Sequence, residues 1–180
     1  ALHVTLEEMA KLDVTLEPSD APEIPYEDRP YRPCVGIFLL NADNLVFAGQ
    51  RLDNRAEAWQ MPQGGIDHGE SVHDACLREM QEEIGTNAAT MLKEHHDWLY
   101  YDIPQPLADR LWHGQYRGQR QKWVALRFNG VDADININTA EPEFGAWKWV
   151  VPNELIDMAV PFKRDVYRDV MKSFGTLLDS

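Results

Sequence analysis

Apolar residues fall into short runs along most of the chain, and these runs predict a β-sheet. CVGIFLL (34–40) reads as a buried strand that ends at the turn NADN (41–44), and LVFAGQR (45–51) is its expected hairpin partner. Three later runs are rich in aromatic and β-branched residues and predict further strands: WLYYDIP (98–104), QKWVALRF (121–128) and FGAWKWVV (144–151).

Two other segments have the periodicity of an amphipathic helix. Val72, Cys76 and Met80 recur at every fourth position, with Ser71 as an N-cap and Gly85 as a stop. The segment PFKRDVYRDVMKSFGTLL (161–178) is also predicted to be helical, with apolar residues near one stripe: Val166, Val170, Met171 and Phe174. The order strands, helix, strands, helix predicts an α/β domain with helices packed on the faces of a mixed sheet.

Residues 1–30 differ in composition from the rest of the chain. They hold eight acidic residues, two basic residues and four prolines. This composition predicts a short helix around Thr5–Leu12, followed by an extended, proline-punctuated arm. We therefore expect an acidic N-terminal extension, residues 1–30, and a single domain, residues 31–178.

Charge and cysteine usage exclude several classes of function. The 180 residues carry a net charge of −13, which argues against binding to long duplex nucleic acid or to an anionic membrane. No apolar run approaches the ~20 residues needed to cross a bilayer, and the N-terminus lacks a signal-peptide layout. Cys34 and Cys76 lie in apolar surroundings and form no metal-spaced pair, so both are expected to be reduced core residues. These features predict a cytoplasmic protein.

The charge is unevenly distributed. Residues 110–127 contain five basic residues and no acidic residue. Such a patch in an acidic protein favours a small polyanionic ligand, or the short end of a longer one. The alternative is chance clustering on a solvated pair of strands.

The first predicted helix carries an acidic face. At ~100° per residue, Glu79, Glu82 and Glu83 occupy one sector about 100° wide. Like charges this close repel one another, and Glu82 and Glu83 also lie near the negative end of the helix dipole. A divalent cation such as Mg²⁺, which takes oxygen ligands, would remove that repulsion. Arg78 could pair with one of these carboxylates, and Gly64 and Gly65 would let a loop approach closely.

The segment GGIDHGESVHDACLREMQEEIG (64–85) resembles the Nudix box, G-x5-E-x7-R-E-U-x-E-E-x-G-U, where U is a bulky aliphatic residue. Thr86 departs from the pattern, and all seven fixed positions match: Gly64, Glu70, Arg78, Glu79, Glu82, Glu83 and Gly85. The resemblance covers about residues 31–175. It extends to YRPCVGIFLL, WQMPQGGI, GQRQKWVAL, PEFGAWKWV and FKRDVYRDVMKSF, which look like the bacterial RNA 5′-pyrophosphohydrolase and dinucleoside polyphosphate hydrolase branches of the Nudix hydrolases.

This resemblance implies a Nudix α/β/α sandwich and a set of roles. Glu79 and Glu83 would bind Mg²⁺, with Mn²⁺ as a substitute, and Glu82 and the Gly64 carbonyl would lie close by. Arg78 would orient the carboxylates, and Glu143 would complete the metal site or act as a base. Glu70 would hold the loop to the helix. Arg32, Arg51 and Lys122 would bind the phosphates of the substrate. Phe162 and Tyr101 would pack against one of its bases.

Three functions remain open at this point. The first is removal of pyrophosphate from the 5′-triphosphate end of RNA, which leaves a 5′-monophosphate. The second is hydrolysis of diadenosine tetraphosphate to ATP and AMP, since Tyr101 resembles a tyrosine of that class. The third is a nucleotide- or RNA-end-binding module without turnover. Because all the box acids are present, the pattern favours an enzyme. The expected partners are thus a 5′-triphosphate RNA end or a dinucleoside polyphosphate.

Overall fold

A computed structural model describes residues 23–52 and 58–178 of the chain. Within these residues the strands form one eight-stranded sheet. The strands are β1 (Tyr31–Leu40), β2 (Val46–Arg51), β3 (Trp59–Gln60), β4 (Gln63–Gly65), β5 (Ala89–Glu94), β6 (Leu99–Asp102), β7 (Gly118–Phe128) and β8 (Phe144–Val150).

The sheet is mixed, as the sequence predicts. Its centre is the parallel pair β1–β7, which runs in register from Tyr31↔Gly118 to Leu40↔Arg127. All other pairs are antiparallel: β4 and β2 with β1, β3 and β8 with β2, and β5 and β6 with β7. The predicted strand segments are confirmed. β5 was not predicted, because ATMLKE has no run of apolar residues and most of its side chains are exposed.

Helices cover both faces of the sheet. The longer ones are α1 (Val72–Ile84) and α4 (Arg164–Phe174), and single-turn helices α2 (Gln105–Ala108) and α3 (Leu155–Met158) lie between them in the chain. One core packs α1, through Cys76 and Met80, on alternate residues of β1 such as Val35. The other core packs α4, through Tyr167 and the predicted stripe, on the opposite face of β1 and β7. The α/β/α sandwich is therefore confirmed.

The chain already contacts the domain before residue 31. The Tyr26 hydroxyl donates to the Ile103 carbonyl at 2.8 Å, and Arg29 pairs with Asp109 at 2.6 Å. The boundary at residue 30 remains a prediction, and the helix predicted around residues 5–12 lies outside the described residues. Cys34 and Cys76 are free and fully buried, as expected. In the part of the chain that the structure describes, no helix is long and apolar enough to cross a membrane.

Candidate active site

Helix α1, which carries most of the Nudix-box residues, begins and ends where the sequence predicts. Ser71 is the N-cap, and its Oγ accepts a hydrogen bond from the Asp74 amide at 3.0 Å. Gly85 ends α1 in the left-handed region with φ 75°, a conformation that glycine adopts without strain. Thr86 replaces the usual aliphatic residue without leaving a polar atom unsatisfied, because its hydroxyl accepts a hydrogen bond from the Ala88 amide at 3.2 Å.

The loop before α1 touches the helix at Gly64. A Cβ at this position would lie 2.0 Å from the Glu79 carboxyl carbon. Gly64 is held in place by pairing with Val35 of β1, so the backbone cannot retreat. Only glycine therefore permits this approach, which brings the backbone of β4 against the Glu79 carboxylate. Gly65 is similarly close to Arg32, whose Nη2 lies 2.3 Å from the position of an added Cβ.

Arg78 ties the loop to the acidic face of α1. Its guanidinium donates to both carboxylate oxygens of Glu70, at 2.8 and 2.9 Å, and to the Gly65 carbonyl at 2.8 Å. It also donates to Glu79 at 2.9 Å and to Glu82 at 3.2 Å. Hydrogen bonding to Glu70 raises the pKa of Arg78, and the same bonds lower the pKa of Glu70. Arg78 is thus a fixed cation that orients these carboxylates, and Glu70 anchors the loop.

The acidic face is divided between buried and exposed carboxylates. Glu79 and Glu83 are buried on successive turns of α1, whereas the Glu82 side chain is 56% exposed. A cavity of about 590 Å³ opens beside them and is also lined by Glu143, from the loop that leads into β8. Tertiary structure therefore brings Glu143 to the same cavity as the three box glutamates, which the sequence places 60 to 64 residues earlier in the chain.

The donor set at this cavity fits a divalent cation. Two buried carboxylates would be costly without positive charge nearby, and carboxylate oxygens are the ligands that hard cations prefer. Within residues 23–52 and 58–178, no three acidic, histidine or cysteine side chains already stand at metal-ligand spacing. The Glu79 carboxylate forms an ion pair with the Arg78 guanidinium. The ligand set Gly64, Glu79, Glu82, Glu83 and Glu143 accordingly remains a prediction.

Two buried basic side chains, Arg51 and Lys163, lie near Glu143. Arg51 ends β2 beside the Glu143 loop, where the Leu52 amide donates to the Glu143 carbonyl at 3.2 Å. Lys163 is only 1% exposed, and its pKa is lowered to about 7, first by burial and then by the positive charge of Arg51. Negative charge on Glu143 and Glu83 opposes this shift. The sequence analysis did not single out Lys163, although FKRDVY contains it.

The lowered pKa of Lys163 predicts a pH-dependent stability. Below pH ~7 the amine is protonated in both the folded and unfolded states. Above that pH the unfolded state keeps a proton that the folded state has lost, so the free energy of unfolding rises with pH. Between pH 7 and pH 9, wild type should gain about 2 kcal/mol relative to Lys163→Met. Urea unfolding of both proteins in metal-free buffer measures this difference.

The matched control for this experiment is Lys172→Met, which removes an exposed lysine from α4. Its free energy of unfolding should follow that of wild type across the same pH range. A constant difference between wild type and Lys163→Met at every pH would contradict the prediction.

Aromatic side chains lie beside Lys163. Phe162 is partly buried, and its ring centroid lies 5.6 Å from that of Tyr101. Tyr101 is 7% exposed, and burial raises the pKa of its hydroxyl. The structure therefore gives Phe162 an accessible ring with Tyr101 packed behind it. Arg32 also stacks on an aromatic ring, with its guanidinium carbon 5.0 Å from the Trp112 centroid.

A chain of buried amides lines the same face of the sheet, and the sequence analysis did not identify it. Gln121 donates to the Gln63 side chain at 2.7 Å and accepts from Trp123 Nε1 at 3.1 Å. Gln119 accepts a hydrogen bond from Cys34 Sγ at 2.9 Å. The alternation Gln-x-Gln in GQRQKW could have predicted that these two amides lie together, because alternate residues of a strand share a face.

Lys122 lies on the opposite face of β7. Its amine donates to the His96 carbonyl at 2.7 Å and lies 5.5 Å from the Trp98 ring centroid. It does not line the carboxylate cavity. Its contact with substrate phosphates remains a prediction.

Known proteins resemble this chain in sequence and in fold. The model of the NUDIX domain family matches residues 30–170. The chain is 53% identical over 147 residues to the RNA pyrophosphohydrolase of Roseobacter denitrificans, covering 81% of this chain and 92% of that protein. It is 48% identical over 153 residues to the RNA pyrophosphohydrolase of Rickettsia prowazekii, covering 85% and 95%.

Solved structures share the fold at lower identity. The E. coli dihydroneopterin triphosphate pyrophosphohydrolase aligns with a TM-score of 0.58 at 19% identity, covering 78% of this chain and 97% of that one. A C. elegans Ap4A hydrolase aligns with a TM-score of 0.57 at 20% identity, covering 81% and 98%. These likenesses bear on the fold alone.

Proposed function

Because the chain belongs to the NUDIX domain family, we propose that it is an RNA pyrophosphohydrolase. It hydrolyses the 5′-triphosphate end of RNA with one water molecule, releasing pyrophosphate and leaving a 5′-monophosphate. The observation that carries this proposal is the 53% identity, over 81% of the chain, to a protein named RNA pyrophosphohydrolase. The intact set of box glutamates supports turnover over mere binding.

In this proposal the buried carboxylates hold a divalent cation. Glu79 and Glu83 are the principal ligands, and Glu82, Glu143 and the Gly64 carbonyl lie close to them. Mg²⁺ is the proposed ion, with Mn²⁺ as a substitute, because the donors are oxygen atoms. When bound, such an ion neutralises charge on phosphoryl oxygens and lowers the pKa of a coordinated water.

The remaining residues bind and orient the triphosphate end. Arg51, and Lys163 when it is protonated, place buried positive charge near Glu143, where phosphate oxygens require neutralisation. Glu143 lies on a loop at the cavity and can complete the metal site or accept a proton from the attacking water. Phe162 presents a ring on which the terminal base can stack. Two reduced, buried cysteines are compatible with a cytoplasmic location.

A competition experiment tests the substrate. Purified protein with Mg²⁺ is given equal concentrations of a short 5′-triphosphate RNA and diadenosine tetraphosphate, and both sets of products are followed. We expect faster consumption of the RNA, with pyrophosphate and 5′-monophosphate ends as products. Faster formation of ATP and AMP would instead assign the chain to dinucleoside polyphosphate hydrolysis. No product from either substrate would make both assignments wrong.

A further inference from the structure

A group of aromatic and basic side chains lies on the face of the sheet opposite the Phe162 ring. It consists of Tyr31, Trp98, Tyr100, Arg120 and Lys122, which we call the sheet-edge patch. Tyr100 pairs with Arg120 across β6 and β7, and β7 pairs in turn with β1, which starts at Tyr31. Residues paired across strands point to the same face, so the fold itself assembles the patch.

Arg120 and Lys122 both make cation–π contacts with the Trp98 ring. The Arg120 guanidinium carbon lies 4.1 Å from the Trp98 ring centroid, and the Lys122 amine lies 5.5 Å from it. Trp98 lies in the connection between β5 and β6, two strands that pair with the same strand, β7. Among the residues that the structure describes, neither cation forms an ion pair with a carboxylate. In a chain of net charge −13, two such cations side by side make a local positive site.

The aromatic part of the patch is open to solvent. Tyr100 is 54% exposed, and the edge of the Tyr31 ring supports it at a centroid distance of 5.0 Å. The nearest acidic side chain of β6, Asp102, is held by Arg117 at 3.1 Å and by the Tyr31 hydroxyl at 2.7 Å. The patch therefore combines an accessible ring with positive charge, which is the pairing that single-stranded nucleic acid needs.

The β7 residues of the patch, Arg120 and Lys122, lie two strands from β4. β4, which carries Gly64 and Gly65, pairs with one edge of β1, and β7 pairs with the other edge. Two strand spacings, about 10 Å, thus separate β4 from β7. A chain whose 5′ end lies in the carboxylate cavity can cross the end of β1 to reach the patch.

We propose that the sheet-edge patch binds single-stranded RNA downstream of the 5′ end. Tyr100 stacks on a base, and Arg120 and Lys122 bind backbone phosphates. This inference rests on the proposed function and extends it, because it predicts that a longer RNA binds better than a dinucleotide. A dinucleoside polyphosphate has no chain to reach the patch.

The double variant Tyr100→Ala/Arg120→Gln tests the proposal. Its KM for an unstructured 5′-triphosphate RNA of about eight nucleotides should rise about tenfold, while KM for a 5′-triphosphate dinucleotide stays at the wild-type value. The single-charge control Arg168→Gln, on the exposed side of α4, should change neither. The salt dependence of binding is measured with 5′-hydroxyl RNA of the same length. In the double variant, the slope of log binding constant against log salt concentration should be smaller in magnitude by about 0.7.

The possible outcomes distinguish a failure of the proposed role of the patch from a failure of the proposed function. Equal changes for both RNAs, or no change for the longer one, would overturn the role of the patch. If wild type hydrolyses neither RNA, the proposed function fails, and anisotropy with the 5′-hydroxyl RNA decides the patch alone. Unchanged binding of that RNA by the double variant would then overturn it.

Discussion

Replacing Glu79 by glutamine should lower kcat about a thousandfold while leaving the fold intact. The Glu79 side chain is buried, lies against Gly64 and accepts a hydrogen bond from Arg78 at 2.9 Å. Glutamine keeps the shape and a carbonyl acceptor for Arg78 but removes the charge that a divalent cation requires. Arg78 also keeps its bonds to Glu70 and Gly65, so the loop should stay in place.

Steady-state kinetics and a thermal unfolding curve measure the two parts of this prediction. Glu94→Gln makes the same chemical change at an exposed position on β5 and should leave kcat unchanged. Wild-type activity in Glu79→Gln would remove Glu79 from the proposed metal site. Loss of activity together with loss of the folding transition would show a structural role instead.

Gly64→Ala should reduce activity about a hundredfold, because the new methyl group occupies the space of the Glu79 carboxylate. The added Cβ would stand 2.0 Å from the carboxyl carbon, while pairing with Val35 fixes the backbone. The side chain must therefore move, and overpacking of this kind typically costs about 1–3 kcal/mol in the free energy of unfolding.

A double-mutant cycle shows whether the effect passes through Glu79. In the Glu79→Gln background, Gly64→Ala should have little further effect on kcat, because the group that it displaces has already lost its charge. Gly175→Ala is the matched control, since an added Cβ there meets no atom within 4 Å. Additive losses in the cycle would mean that Gly64 acts independently of Glu79.

Much of α1 could be predicted from sequence because its determinants are local. Helical periodicity and capping preferences predict the N-cap Ser71, the stop at Gly85 and the glutamate sector. In the structure, α1 begins after Ser71 and ends before Gly85. The pairing of Arg78 with a box carboxylate is also a short-range consequence of the helix. Alternation and apolar runs likewise predicted the principal strands, since burial on a sheet face imposes that pattern.

Other features depend on contacts between distant segments and were decided by tertiary structure. Glu143 shares a cavity with the box glutamates only in the folded chain, where β8 pairs with β2. The pKa of Lys163 is lowered only because folding buries its amine near Arg51. Arg120 is matched with Tyr100 by strand register. A sequence pattern shows the face on which a residue lies within its own element. Which residues then meet depends on how the elements pair and pack, and this pairing decides the electrostatics of the site.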